Sequence, residues 1–304
     1  MSHAALADPV TEALEIRPVA GRIGAEIAGI QLSGALPDAT VLAIHAALLR
    51  HRVLFFRGQH HLDDAEQQAF GHRFGALVPH PTTPSRGGTQ ILELDASRGG
   101  GRADQWHTDV TFVDAYPKAS ILRAVVVPTH GGDTLWANTV AAYDDLSPEL
   151  RALADRLWAV HSNAYDYAAL RPKASEADRR QYEQVFTSTV YETEHPVVRL
   201  HAETGERSLV LGYFVQKFVG QTAADSKRLF DLLQSHVTRP ENTVRWRWQA
   251  GDVAFWDNQA TQHYAINDYG DQPRVVRRVT IAGQVPVGAD GRQSVTRTRQ
   301  AKAA

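Results

Sequence analysis

The stretch QWHTDVTF, Gln105–Phe112, sets a histidine and an aspartate two residues apart in a run of β-branched and aromatic side chains. Read as a strand, it turns His107 and Asp109 to one face and Trp106 and Thr108 to the other. The two polar side chains then stand about 7 Å apart at the backbone, close enough to chelate one ion. Alone, the pair reads more readily as a hydrogen-bonded strand pair than as a ligand set. Two other places in the chain carry the same spacing with ordinary readings. In His61-Leu62-Asp63 the aspartate suits a helix cap, and His201-Ala202-Glu203 falls at a hairpin turn where solvation is expected.

A third ligand is best sought in AFWDNQATQHYAINDY, where His263 follows another strand-like run. Two histidines and one carboxylate on one face of a metal leave positions open, as in non-haem Fe(II) oxygenases. Downstream, in RVVRRVTIAG, Arg274 and Arg278 are four apart and share a strand face, at a separation of roughly 13 Å, while Arg277 points the opposite way toward the surface. If that face is inward, two buried guanidiniums need two anionic groups. If it is outward, surface acids suffice.

Composition limits the chemistry. The 304 residues contain no cysteine, which excludes disulfides, thiolate nucleophiles and sulfur-ligated metals, so a metal must rest on His, Asp or Glu. Met1 is the single methionine. Sparse sulfur suits an enzyme that makes a strong oxidant, although a composition bias that also favours Arg over Lys is the better explanation. The net charge of -2, from 32 basic and 34 acidic residues, offers no basic excess for nucleic acid or anionic lipid, and points to a small-molecule partner. The first residues lack a basic segment followed by an apolar run, and no stretch approaches the ~20 apolar residues that span a bilayer. A cytoplasmic protein is expected.

Strand signals outnumber helical ones: RVLFFRG, TQILELD, WHTDVTF, ASILRAVVVP, HPVVRLHA, RSLVLGY, NTVRWRW, GDVAFWDN and RVVRRVTIAG. HPVVRLHAETGERSLVLG reads as a hairpin turning at ETGE. Helices are expected in LPDATVLAIHAALLRH, in DDAEQQAFGHRFG with an Asp63-to-Glu66 capping pattern, in SPELRALADRLWAV, in EADRRQYEQVF, and in TAADSKRLFDLLQSHV with Thr222 and Asp225 at capping-box spacing. With no repeat or linker, these predict a mainly β jelly roll with helical insertions over residues 17–287. Residues 1–16 are expected to be loosely ordered and 288–304 to form a flexible tail.

In order and separation, WHTDVTF, GGDTLWAN, WDNQATQHYAINDYG and RVVRRVTIAG resemble the taurine dioxygenase-like family of Fe(II)/2-oxoglutarate-dependent dioxygenases, from about Ile16 to Val287. The resemblance implies a double-stranded β-helix with His107, Asp109 and His263 as iron ligands. It further implies Thr134 and Arg274 on 2-oxoglutarate, with Arg278 near both the cosubstrate's other carboxylate and the substrate's sulfur oxyanion. His80 and the Val110 N–H complete the oxyanion contacts. Without that frame, Thr134 reads as a turn hydroxyl and His80 as a loop histidine. Thr83 and Ala103 stand where taurine enzymes carry a tyrosine and an asparagine, which removes polar partners for an ammonium and leaves a smaller, less polar pocket suited to an alkyl chain.

VAGRIGAEI, FVDAYPKASILR, HSNAYDYA and FTSTVYETEHPVVR are similar to the alkylsulfatase branch. That similarity implies O2-dependent cleavage of an alkyl sulfate to an aldehyde and inorganic sulfate, with succinate and CO2, by a homo-oligomer. Alternatives are an α-hydroxylating dioxygenase of a sulfonate or carboxylate, a zinc hydrolase on the same His-Asp-His set, and a jelly-roll binding protein without turnover.

Overall fold

The protein, seen in a computed structural model, is described over residues 14–83, 89–96, 103–164 and 189–301. Numbered in chain order, the strands of the largest sheet lie side by side as β1 (Glu15–Pro18), β2 (Ala25–Ala28), β3 (Val53–Phe56), β14 (Val253–Asp257), β6 (Ala119–Val126), β16 (Val275–Ile281) and β4 (Leu77–Val78). β5 (Leu92–Asp95) joins the same edge of β16 as β4 does. A three-stranded sheet runs β13 (Thr243–Trp246), β7 (Thr134–Asn138), β15 (Thr261–Ala265). Among the described residues all strand pairings are antiparallel except β2 with β3.

Alternation along these strands divides their side chains between two cores. On the large sheet, Leu122, Ala124, Ala254, Trp256 and Val276 meet Trp136, Val244 and Trp246 of the small sheet in one buried cluster. Their neighbours Ile121, Phe255, Val279 and Ile281 point the other way, onto Ile44 and Leu48 of α1 (Asp38–His51) and Phe70 of α2 (Asp64–His72). The outer face of the small sheet is covered through Ala137 by α3 (Thr139–Asp144) and, further out, by α5 (Ala223–Val237). Two facing antiparallel sheets with helices outside are the expected jelly roll.

Two smaller sheets flank it. One orders β12 (Val215–Phe218), β8 (Trp158–Ser162), β9 (Thr189–Pro196) and β18 (Val295–Ala301); the other orders β11 (Arg207–Leu209), β10 (Val198–Leu200) and β17 (Val287–Gly288). The β10–β11 hairpin turns at ETGE as expected. Both capping patterns form: Asp63 accepts from the Glu66 N–H and Thr222 from the Asp225 N–H.

Several expectations need correction. WHTDVTF is not a strand. His107 makes a single bridge to His263, after which the chain turns, with Val110 at φ 61°. The helix begun by SPEL ends as α4 (Pro148–Ala154), and Trp158 to Val160 belong to β8, where sheet pairing overrides the helical spacing. Part of the tail expected over 288–304 is paired, since β18 lies along β9 from Val295 to Ala301. His201 is buried, not solvated: its Nε2 lies 2.9 Å from Asp257 Oδ2, and its Nδ1 accepts from the Glu203 and Thr204 N–H groups at 3.2 Å. The helix expected in EADRRQYEQVF lies outside the described residues.

Phe255 fills the space between β14 and the helices, with its ring edge-on to Phe70 and Phe74. Phe255→Ala is therefore expected to lose about 3–5 kcal/mol of stability in chemical denaturation.

Candidate active site

Three buried side chains converge where the sheets meet. His263 on β15 lies opposite Trp136 on β7, so the inward alternation that buries Trp136 also turns the imidazole inward. His107 reaches the same place because its backbone bonds His263 twice, N–H to carbonyl at 3.0 Å and the reverse at 2.8 Å. Room for that segment depends on Gly212, at φ 99°, where a Cβ would stand 2.9 Å from the Trp106 carbonyl and 3.1 Å from His107 Cα. Asp109 is placed by the turn that follows. Asn258 accepts from its N–H at 2.9 Å and donates to its carbonyl at 3.2 Å.

Asp109 Oδ1 lies 3.9 Å from His107 Nε2 and 3.8 Å from His263 Nε2. Among the described residues, these three are the group placed to hold a metal ion, with donor atoms within 4.8 Å of one another. Their electrostatics fit one. His107 Nδ1–H donates to the Gln105 carbonyl at 2.7 Å, which leaves Nε2 as a bare lone pair. Burial, as the largest effect, pushes both His107 and His263 below the usual imidazole range, so both are neutral ligands. Burial works against the charge of Asp109, yet the Arg278 guanidinium holds its carboxyl well below the usual range. Arg278 donates to Asp109 Oδ1 at 2.5 Å and Ser120 to Oδ2 at 3.1 Å.

This constellation belongs to a known family. Residues 15–280 match the model of the "Taurine catabolism dioxygenase TauD, TfdA family". The chain belongs to the TauD/TfdA family. It is 63% identical over 298 residues to an alpha-ketoglutarate-dependent sulfate ester dioxygenase of Pseudomonas putida, covering 97% of this chain and 99% of the relative. It is 57% identical over 287 residues to an alkylsulfatase of Acinetobacter baylyi, covering 94% and 90%. A crystal structure of a taurine dioxygenase from Burkholderia xenovorans superposes with a TM-score of 0.79 at 41% identity, covering 94% of this chain and 95% of that one.

Around this family's triad, Arg278 is buried on the inward side of β16 and Arg274, just before the strand, is buried as well, while Arg277 faces outward. Arg277 is not a free surface group. It pairs with Asp64 at 2.9 Å and Glu93 at 3.0 Å, which ties β5 and α2 to the back of the sheet. Thr134 Oγ1 accepts from Trp248 Nε1 at 2.9 Å, so its own hydrogen is left to donate. Arg274 lies along the GGDT loop: at Gly132, φ 72°, a Cβ would come within 3.5 Å of Arg274 Cδ.

His80 is half-buried beside Arg278 and Asp109. Burial first, then Arg278, lower its pKa to about 3 against the opposing pull of Asp109. Its Nδ1 accepts from the Thr82 and Thr83 N–H groups at 3.3 and 3.2 Å, so the ring carries its proton on Nε2 as a neutral donor. The sequence did not single out Ser120 or Asn258, because a serine mid-strand and an asparagine in a turn carry no signal of their own. Among the described residues no helix is long and apolar enough to cross a membrane.

Asp109→Asn removes the charge that completes the triad and is expected to weaken Mn(II) or Co(II) binding by more than about a hundredfold in calorimetry. Neutral buried imidazoles also set a pH dependence. His195, lowered to about 4, and His80, lowered to about 3, stay neutral in the fold while the unfolded chain takes up protons near 6.5. The stability of the metal-free protein should therefore fall as pH drops from about 6.5 toward 4. Urea midpoints that do not move over this range would show that these rings protonate within the fold.

Proposed function

We propose that this chain is an Fe(II)/2-oxoglutarate-dependent dioxygenase that cleaves alkyl sulfate esters oxidatively. The reading rests on Arg278, bonded to Asp109 of the metal triad, and on His80, whose Nδ1 accepts from the Thr82 and Thr83 N–H groups and so leaves the proton on Nε2. This clamp suits a weakly basic oxyanion, and the sulfate ester dioxygenase and alkylsulfatase names of the two relatives point to the same substrate class. Charge supports it. A divalent cation with Arg274, Arg278 and ionised Asp109 leaves three positive charges in a buried site. A 2-oxoglutarate dianion and an alkyl sulfate monoanion cancel them.

His107, Asp109 and His263 would hold Fe(II), which with 2-oxoglutarate and O2 supplies an oxidant able to hydroxylate an unactivated C–H bond, releasing succinate and CO2. Thr134 donates to a cosubstrate carboxylate, and Arg274 grips the distal one. Arg278, His80 and the Val110 N–H hold the sulfate, which fixes the carbon bearing the ester oxygen at the centre. A hydroxyl placed on that carbon makes a hemiacetal-like sulfate. Its C–O bond to sulfate breaks as the hydroxyl loses its proton, giving an aldehyde and inorganic sulfate. The enzyme needs no base strong enough to activate water. We further take it to be cytoplasmic and homo-oligomeric, the latter read by light scattering of the purified chain.

The test is product analysis of the Fe(II)-loaded protein with a medium-chain alkyl sulfate. Aldehyde, sulfate and succinate are expected in equal amounts, and only when O2 and 2-oxoglutarate are both present. Sulfate released without them would make the site hydrolytic. Succinate formed only with a sulfonate or carboxylate would keep the dioxygenase and replace the substrate.

A further inference from the structure

Val110 shares its positive φ with only one other non-glycine among the described residues, Arg52. A β-branched residue in the left-handed region is strained and persists only where its surroundings over-determine it. Before the turn, the barrel supplies the restraint. Asn258 holds Asp109 at both ends of its backbone, and Thr108 Oγ1 donates to the Thr261 carbonyl at 2.8 Å. After the turn, three clamps come from β8 and β9, outside the two barrel sheets. His195 Nε2 lies 2.7 Å from the Thr111 carbonyl, His161 Nδ1 lies 2.9 Å from Thr111 Oγ1, and Thr193 Oγ1 donates to the Phe112 carbonyl at 2.8 Å. All three side chains are fully buried.

These bonds fix a tautomer. A carbonyl oxygen only accepts, so His195 carries its proton on Nε2, and its Nδ1 accepts from the Ser294 hydroxyl 2.6 Å away. The Ser294 N–H donates to the Pro286 carbonyl at 3.0 Å, which anchors the segment that leads into β18. The chain beyond the last barrel strand is thus tied, through one imidazole, to the residue that follows Val110. Resting on the sulfate-ester reading above, we propose that His195 is a positioning residue: with its Nδ1 anchored by Ser294, it fixes the Thr111 carbonyl and so aims the Val110 N–H at the substrate's sulfate. His195 touches no reacting atom. Its effect reaches the substrate through the backbone of Val110, whereas 2-oxoglutarate, held by Thr134 on β7 and Arg274 just before β16, is largely insulated from it.

Three variants separate this role from simple support of the fold. His195→Leu removes the donor to Thr111, His195→Gln keeps an N–H near the Nε2 position, and Ser294→Ala removes only the hydroxyl that anchors Nδ1. In the Fe(II)-loaded enzyme, His195→Leu is expected to raise the half-saturating alkyl sulfate concentration about tenfold, and that of 2-oxoglutarate by less than about twofold. Succinate should exceed aldehyde, because a misaligned substrate is missed. His195→Gln should restore most of both properties. Ser294→Ala should shift the wild type in the same direction and add nothing to His195→Leu, since it acts through that ring.

Hydrogen exchange of the metal-free protein gives a readout independent of activity. Amides of residues 110–113 should exchange faster in His195→Leu and Ser294→Ala, with the rest of the barrel unchanged. A lower Tm with wild-type half-saturation and wild-type coupling would overturn the proposal. So would additive effects of the two substitutions, or unchanged exchange at 110–113. If His195→Leu does not fold, Ser294→Ala and its exchange pattern decide. A wild type that releases no sulfate would overturn the sulfate-ester reading instead, and the exchange comparison would still decide whether His195 holds the turn.

Discussion

An ionised carboxylate kept almost out of reach of water, Asp109 against Arg278, is the interaction on which the rest of this molecule depends. The partners are 169 residues apart in the chain, one on an irregular turn and the other in the middle of β16. Burying either charge without the other costs several kcal/mol, so the turn and the strand must be brought together correctly. Ser120 on β6 completes the carboxylate's hydrogen bonds, and Asn258, directly after β14, grips the backbone beneath it. Three neighbouring strands of the large sheet thus converge on one side chain.

The same sheet handles charge differently on its two faces. Arg278 faces inward and pairs with Asp109. Arg277, one residue earlier, faces the helices and is neutralised by Asp64 and Glu93, and Arg123 on β6 adds a second guanidinium to Asp64. A slip of one residue would exchange these environments and bury the wrong charge among apolar side chains. The ionic layer on the back therefore helps set the register that turns Arg278 toward Asp109.

Much of this was legible in the chain. That Arg274 and Arg278 share a face follows from strand alternation in RVVRRVTIAG, although alternation leaves open whether that face is inward, and the caps at Asp63 and Thr222 follow from local spacing. His107 and Asp109 were located correctly through a strand that does not exist. Their convergence comes from a single backbone bridge to His263 followed by a strained turn, and a residue pattern cannot tell that from a strand whose alternate side chains share a face. His201 and the paired part of the tail were misjudged because a turn-like sequence gives no sign that Asp257 or β9 stands beside it.

The sequence by itself determined the ligand types, through the absence of sulfur and the order of His, Asp, His and Arg, and it determined the jelly roll through the alternation of its strands. Only the tertiary structure decided the protonation states and the aim. Neutral His107, His263 and His80, ionised Asp109 and the left-handed Val110 are products of burial and of partners distant in the chain. Desolvation and long-range hydrogen bonds do not exist until the sheets have closed around them.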